Sequence, residues 1–189
     1  QLSIAGKLIT EGKESKLMAF MLKDPEYAIR WISKFYPLTE ALIAMSDSWA
    51  WSDIASNESL TWSPDLLQRF DSQRNSDRFD RFEAILSWQN LSNNPAIPWT
   101  IDLIEKYRDQ WVWAPEMKRY EYTGEYFHGV RRGLSWNKAL PWSTDLIDRF
   151  LEKWGDWCFL SGNQGLPWSI DLIERYQDRW NWTWLSENP

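Results

Sequence analysis

The stretch of sequence that decides the fold is LPWSIDLIERYQDRWNWTWLSEN, residues 166–188. Its opening motif, Trp-Ser/Thr-x-Asp-Leu-Ile/Leu, occurs four times and begins at Trp62, Trp99, Trp142 and Trp168. The step from Trp142 to Trp168 is uninterrupted and measures 26 residues. Self-similarity at this period is typical of solenoids, in which each unit buries its apolar face against the next. The sequence therefore predicts an all-α fold of tandem αα-hairpins that form a short solenoid.

A degenerate copy of the same unit comes first. It starts at Pro37, where Leu38-Thr-Glu-Ala-Leu-Ile precedes Trp49-Ala-Trp51, in register with Trp180-Asn-Trp182. We number the copies 1 to 5, from this one to the copy that begins at Trp168.

Each later copy carries the signals of a helix start. Ser63, Thr100, Ser143 and Ser169 stand where a hydroxyl can accept hydrogen bonds from backbone N–H groups one turn into a helix. Pro64 then falls at the first helical position, where its missing N–H costs nothing. We expect a helix to begin at each of these positions.

The opening helix needs a partner for its apolar side. In copy 5, Leu172, Ile173, Tyr176 and Trp180 fall on one helical face. The segment that follows, W-x-W-x-x-L-S-x-N, is long enough for a short second helix, and its Asn leads to the next copy. Stacked helix pairs would bury these faces against one another.

Charged residues recur four positions apart on the opening helix. We interpret these residues as i,i+4 ion pairs on a solvated face, worth only about 0.3–0.5 kcal/mol each, rather than as a catalytic or ligand-binding set. The four pairs are Asp65 with Arg69, Asp102 with Lys106, Asp145 with Arg149, and Asp171 with Arg175.

Tryptophan is the most unusual feature of the composition. Thirteen of the 16 Trp stand at repeat positions, and Trp31, Trp136 and Trp184 are the exceptions. A Trp at a fixed structural register is more often packed in a core than used as a ligand platform. We therefore expect most indoles to be buried, each N–H bonded to an acceptor such as a carbonyl at a hairpin end.

The pattern resembles the tryptophan-rich tandem repeats, Asn-Pro-x-Ile/Leu-Thr/Pro-Trp followed by Trp-x-Trp-x-x-Leu/Ile-Ser-x-Asn, of bacterial and giant-virus proteins. The resemblance spans residues 37–189 and carries no activity with it. Two insertions depart from its motif.

Residues 1–36 are predicted to form an N-terminal helical cap, and residues 37–189 form the repeat array. The cap contains two helical segments, and Asp24 with Pro25 starts the second of them. An amphipathic membrane-binding or partner-binding helix is the alternative for Leu17–Leu22. Since the chain stops at Asn188-Pro189, where another copy would begin, we expect it to be part of a longer protein.

The first insertion lengthens copy 2 by about 12 residues, at 72–83. Arg and Asp alternate there around Phe79 and Phe82, and Asp77 and Arg81 stand at i,i+4. The pattern predicts a helical extension whose apolar side still packs.

The second insertion, residues 115–132, interrupts copy 3 between Trp113 and Leu134. Alternating polar and aromatic residues around Thr123-Gly124 predict a small β-hairpin or a loop. Insertions between repeats usually map to one face, often the binding face. The candidate binding residues are Lys118, Arg119, Tyr120, Tyr122, Tyr126, His128, Arg131 and Arg132. A purely structural flap is the competing interpretation.

The overall charge argues against a general nucleic-acid or anionic-membrane surface. The net charge is −6, and four cations and three Glu leave a net of +1 between Pro115 and Arg132.

The single cysteine, Cys158, is expected to be a buried thiol in a reducing compartment. No apolar run reaches the roughly 18 residues of a membrane span, so we expect a cytoplasmic protein.

Enzyme chemistry finds little support. The sequence has no Gly-rich phosphate loop and no Cys/His ligand set, and its lone His has no nucleophile in a recognisable context. We predict no catalytic residue, no metal site and no cofactor. The first hypothesis is a protein–protein interaction scaffold. The alternatives are a glycan or small-ligand module that uses exposed Trp, and RNA or single-stranded nucleic acid bound at 118–132.

Overall fold

A computed structural model of the chain describes residues 23–46, 49–74, 81–114, 133–155 and 157–188. Within these ranges every regular element is helical and no strand occurs, so the predicted all-α class is confirmed. No helix in the same ranges is long and apolar enough to cross a membrane.

The helices are short. In chain order they are α1 (Pro25–Phe35), α2 (Glu40–Ala44), α3 (Trp51–Ile54), α4 (Pro64–Arg74), α5 (Arg81–Asn93), α6 (Ile101–Lys106), α7 (Thr144–Arg149), α8 (Cys158–Ser161), α9 (Ile170–Arg175) and α10 (Trp182–Ser186). A 3-10 helix, Leu134–Trp136, lies between α6 and α7. The chain divides into two compact units, Gln1–Asn90 and Leu91–Pro189, and α5 runs from the first into the second.

The predicted helix starts are confirmed. The hydroxyls of Ser63, Thr100, Ser143 and Ser169 each accept a hydrogen bond from the backbone N–H three residues on, at 3.0–3.1 Å. Asp24 caps α1 in the same way. Each cap satisfies one of the N–H groups that a helix start leaves unpaired.

The opening helices end earlier than the apolar periodicity predicts. In copy 5, α9 ends at Arg175, so the prediction that Trp180 lies on this helix was wrong. The indole of Trp180 instead donates to the carbonyl of Ile173 at 3.0 Å. Because the last carbonyls of a helix have no intrahelical donor, this indole completes the hydrogen bonding of the helix end.

The same indole contact recurs in other copies and confirms the predicted use of a carbonyl at a hairpin end. Trp49, Trp111 and Trp154 donate to the carbonyls of Ile43, Ile104 and Ile147 at 3.0–3.1 Å. The Trp that opens each of copies 3, 4 and 5 uses another acceptor, the carbonyl of the Asn five residues earlier, at 2.9–3.0 Å. The N–H groups of Trp62 and Trp157 are buried and have no acceptor among the described residues.

Most of the tryptophan is in the core. All 16 Trp lie in the described ranges, nine of them are buried, and Trp182 alone is exposed. Cys158 is a buried free thiol, as predicted. The buried Trp are 51, 62, 88, 99, 111, 113, 154, 157 and 180.

Within each compact unit, the second helices of the copies pack on one another or, in the first unit, on α1. In Gln1–Asn90, α1 contacts α3, and in Leu91–Pro189, α8 contacts both α10 and the 3-10 helix. The helices α4 and α5 border the first insertion, of which residues 75–80 lie outside the described ranges. The predicted helical segment around Leu17–Leu22 also lies outside them.

Two of the four predicted i,i+4 ion pairs, those of Arg149 and Arg175, are replaced by pairs between successive copies. Arg149 bonds Glu105 at 3.5 Å, and Arg175 bonds Asp148, so the predicted partners Asp145 and Asp171 are not used. These two Asp remain at the exposed helix starts, where the helix dipole already favours them. The cations lie in the last turn of their helices, where their side chains contact the preceding copy.

Candidate interaction surface

Each copy ends in an asparagine, which is buried in copies 1 to 4 and half-buried in copy 5. Its Oδ1 accepts from the N–H two residues on, at 2.8–2.9 Å after Asn57, Asn94, Asn137 and Asn163. Nδ2 of four of these asparagines donates to a backbone carbonyl of the preceding copy or, for Asn57, of α1. The donations are Asn57 to Ser33, Asn137 to Ser92, Asn163 to Ser135 and Asn188 to Ser161, at 2.9–3.2 Å.

The serine that precedes this asparagine by two residues links forward to the next copy. The Oγ atoms of Ser92 and Ser161 accept from the N–H groups of Val112 and Asn181 at 3.0 and 2.9 Å. In both cases the donor is the middle residue of the next Trp-x-Trp. The Ser and Asn side chains of the motif therefore connect successive copies. Burial makes each of these hydrogen bonds costly to lose.

Helix α1 takes part in the same pattern. Ser33 Oγ accepts from Ala50 N–H at 3.3 Å, and its carbonyl accepts from Asn57. Ile32-Ser33 thus occupies the position of Leu-Ser in the repeat. This match is not visible in the repeat pattern, because the helix lacks Asn, the most specific residue of the motif.

One serine is an exception. Ser135 is fully buried, yet its Oγ has no hydrogen-bond partner among the described residues. Copy 4 has Trp154-Gly-Asp-Trp157 in place of Trp-x-Trp, one residue longer. The extra residue breaks the register that brings an N–H to this hydroxyl in the other copies.

The second insertion splits a helical turn without removing its hydrogen bonds. Leu134 N–H donates to Val112 O at 2.8 Å, and Ser135 N–H donates to Trp113 O at 2.9 Å. Omitting residues 115–132 would place both donors four residues after their acceptors, which is the spacing of an α-helix. The two ends of the insertion, Ala114 and Gly133, are therefore held together by α-helical bonds.

Uninterrupted copies show the same bonds within a continuous chain. Leu185 N–H donates to Asn181 O at 2.9 Å in copy 5, and Ser161 N–H donates to Trp157 O at 2.8 Å in copy 4. Deleting residues 115–132 would restore the repeat spacing Trp113-Ala-Gly-Leu-Ser-Trp-Asn.

Gly133 makes the close approach possible. A Cβ at this position would lie less than 3.0 Å from the carbonyl oxygen of Val112 and 3.0 Å from that of Trp113. Cβ atoms do not approach other atoms closer than about 3.0 Å in real structures. Both are backbone atoms of the split turn, so they cannot move aside without breaking its hydrogen bonds. Glycine is required here for space rather than for its backbone angles.

The base of the insertion is fixed in the core on its other side. The ring of Trp113 lies 4.9 Å from those of Phe150 and Trp154, and its indole donates to Arg108 O at 2.7 Å. Aromatic pairs at this separation add to the apolar burial. The insertion therefore starts from a packed residue.

The predicted binding residues themselves lie outside the described ranges. This applies to Lys118, Arg119, Tyr120, Tyr122, Tyr126, His128, Arg131 and Arg132, and also to the predicted β-hairpin. Their use in binding stays a prediction. The structure adds the position and geometry of the base from which they start.

Titratable groups in the described part serve the contacts between copies. Burial raises the pKa of Tyr176 to about 12, and the hydrogen bond that its hydroxyl donates to Asp148 at 2.6 Å acts in the same direction. The hydrogen bond from Lys153 holds the pKa of the exposed Asp109 below its usual range. No group of three or more His, Cys, Asp or Glu among the described residues could hold a metal ion.

No protein-family model, no curated protein and no solved structure matches this chain.

Proposed function

We propose that the chain is a non-enzymatic interaction scaffold, in which stacked repeats form a solenoid and the 115–132 insertion binds a partner protein. The observation that carries the proposal is the split turn, whose helical hydrogen bonds are retained on both sides of 18 additional residues. Such a site accepts variable sequence without altering the framework, and binding residues commonly lie on loops that a rigid scaffold positions.

The chemistry of the insertion favours a protein partner. Its four cations are offset by Glu116, Glu121 and Glu125, which leaves little net attraction for a polyanion. Its three tyrosines and its arginines belong to the residue types that carry most of the binding energy in protein interfaces. A peptide surface with both acidic and apolar groups fits this composition best.

The other two candidates are less well supported. A glycan site built from a row of Trp faces needs exposed indoles, whereas only Trp182 of the 16 is exposed. Nucleic-acid binding at Arg131 and Arg132 predicts affinity that falls steeply with salt. Binding unaffected by salt would exclude that alternative.

Affinity capture from the native organism's lysate tests the proposal. The full chain is compared with a variant that lacks residues 115–132, in which Trp113-Ala-Gly-Leu restores the repeat spacing. A partner captured by the full chain and lost by the folded deletion variant is the expected result. Capture of the same partner by both chains, or of none by either, contradicts the assignment to the insertion.

A charge-reversal pair sharpens this experiment. Arg131→Glu lies in the insertion, and Lys138→Glu is its control on an exposed turn outside it. We expect Arg131→Glu to weaken capture of the partner and Lys138→Glu to leave it unchanged. Equal effects would indicate a general response to charge.

A further inference from the structure

Copy 4 departs from the repeat pattern where it packs on copy 3. Two residues, Gly155 and Asp156, separate its motif Trp, whereas a single residue separates them in copies 1, 3 and 5. Gly155 has a φ of 59°, and no other residue in the described ranges has a positive φ. Glycine adopts this conformation without the steric penalty that a Cβ brings, so the longer turn depends on this residue.

The longer turn leaves a buried hydroxyl unpaired. Ser135 Oγ is buried at the junction of copies 3 and 4 and has no hydrogen-bond partner among the described residues. At the junction of copies 4 and 5 the turn has its ordinary length, and the equivalent Ser161 Oγ accepts from Asn181 N–H at 2.9 Å. An unpaired buried hydroxyl lowers stability. The framework by itself therefore gives no reason for the extra residue.

Gly155 lies against the residue after which the second insertion begins. A Cβ added to Gly155 would lie 3.3 Å from the Cβ of Ala114. The repeat position of Ala114 is that of Cys158, whose Sγ accepts a hydrogen bond from Asn181 Nδ2 at 3.0 Å. Copy 5 thus places a side chain at this contact, and copy 4 places none.

The missing side chain has a consequence because the chain continues differently after the two equivalent residues. Cys158 is the first residue of α8, and the chain follows that helix. Ala114 is followed by residues 115–132 before the split turn resumes at Gly133. A side chain at position 155 would therefore stand beside the point where the insertion departs.

We propose that Gly155 is a positioning residue for the 115–132 insertion. Because it presents no side chain to Ala114, the longer turn of copy 4 leaves open the space in which the insertion starts. The unpaired Ser135 Oγ is the accompanying loss of stability. This inference rests on the proposed function, since it concerns how that binding segment is presented.

A double-mutant cycle in urea unfolding tests the proposal without a partner. It combines deletion of Gly155, which restores the spacing Trp-Asp-Trp, with deletion of residues 115–132. In the chain without the insertion, loss of Gly155 should raise the folding equilibrium constant about 5-fold, because Ser135 Oγ regains an N–H donor. In the full chain the same deletion should lower this constant, because the Asp156 side chain then stands at the start of the insertion.

A second variant, Gly155→Asn, keeps the length of the turn. Asn is among the side chains that best tolerate a positive φ, so this variant adds a side chain with little backbone strain. It should destabilise the full chain about 5-fold more than the chain without the insertion.

The control is Ser161→Ala, which removes hydrogen bonds at the junction of copies 4 and 5. It should lower the folding equilibrium constant by the same factor in both chains. Equal effects of the two Gly155 variants on both chains overturn the proposal, because the turn then serves the framework alone. Loss of folding in both chains has the same meaning, whereas loss of folding in the full chain alone supports the proposal.

Affinity capture separates this inference from the proposed function. Where the full chain captures a partner through 115–132, Gly155→Asn should lower the captured amount several-fold, and the Ser161→Ala control should not. Capture that Gly155→Asn leaves unchanged overturns the positioning role. Capture of nothing by the full chain contradicts the proposed function, and the coupling measured in urea then still decides whether Gly155 serves the insertion.

Discussion

Asn163 shows at the residue scale how much one side chain contributes to the framework. It is 1% exposed, its Nδ2 bonds Ser135 O at 2.9 Å, and its Oδ1 accepts from Gly165 N–H at 2.8 Å. Asn163→Ala would remove the Asn163 partner of a buried carbonyl and of a half-buried N–H. We expect a loss of about 2–4 kcal/mol in the free energy of unfolding, measured by urea denaturation.

Gln164→Ala is the matched control for that substitution. Gln164 is the next residue, is exposed, and its side-chain oxygen accepts a hydrogen bond from Lys138 at 2.6 Å. Its removal should change stability by less than about 0.5 kcal/mol. Similar losses for the two variants would show that the buried amide has no special role.

The two serines of the same motif position give a second prediction. Ser161 Oγ accepts from Asn181 N–H and donates to Trp157 O at 2.8 Å, whereas Ser135 Oγ has no partner in the part of the chain that the structure describes. Ser161→Ala should therefore cost about 1–3 kcal/mol, and Ser135→Ala should be neutral or stabilising. The same urea experiment compares them, and a larger loss for Ser135→Ala would contradict the hydrogen-bond assignment.

Tyr176 makes stability depend on alkaline pH. Burial raises its pKa to about 12 in the folded chain, above the ordinary value of 10.0, so the folded state keeps a proton that the unfolded state loses. This stabilisation is complete below pH 10 and disappears as the pH rises towards 12. Tyr176→Phe should weaken the loss of stability between pH 10 and 12, as measured by urea unfolding at each pH. An unchanged pH profile would contradict the shift.

The residues that the sequence could identify were those with a local role. Hydroxyl N-caps such as Ser169 act on a backbone N–H three residues away, so their pattern is visible in one dimension. The partners of Asn163 and Arg175 are 28 and 27 residues away in the preceding copy, and only the packing of the copies selects them. For this reason the ion pairs of Arg149 and Arg175 were predicted within a helix and occur between helices.

At the scale of elements, Gly133 controls the split turn. An added Cβ would come within 3.0 Å of two backbone oxygens that the turn uses as acceptors. We expect Gly133→Ala to lower the free energy of unfolding by about 1–3 kcal/mol, because the backbone must shift. Ala114→Gly, at the other end of the insertion, should have a smaller effect in the same assay. A Gly133→Ala variant as stable as the unaltered chain would contradict the requirement for glycine at this position.

Helix starts were predicted better than helix ends. The ends depend on tertiary contacts, since the indole of Trp180 occupies a carbonyl of α9 and the chain then turns away from the helical path. The sequence shows Trp180 at a helical period from Tyr176, and that spacing alone favours a longer helix. The sequence pattern therefore overestimates the length of a helix where a side-chain donor takes the place of the next helical turn.

At the scale of the whole molecule, the sequence predicted the helical class and the burial of most Trp. It did not predict the division at Asn90 and Leu91, because α5 is continuous in sequence pattern across this point. The binding residues from Lys118 to Arg132 stay a prediction. Their composition can be read from the sequence, but nothing in a repeat pattern specifies the shape of a segment that departs from it.

The most direct measurement of the central claim, that the insertion is separable from the framework, is urea unfolding of the chain that lacks residues 115–132. The account predicts an unfolding free energy within about 1 kcal/mol of that of the full chain, with the same blue-shifted Trp emission, because Leu134 and Ser135 keep their helical acceptors. A variant that unfolds without denaturant, or whose Trp emission shifts to that of solvated indole, would show that residues 115–132 hold the framework together and would contradict the claim.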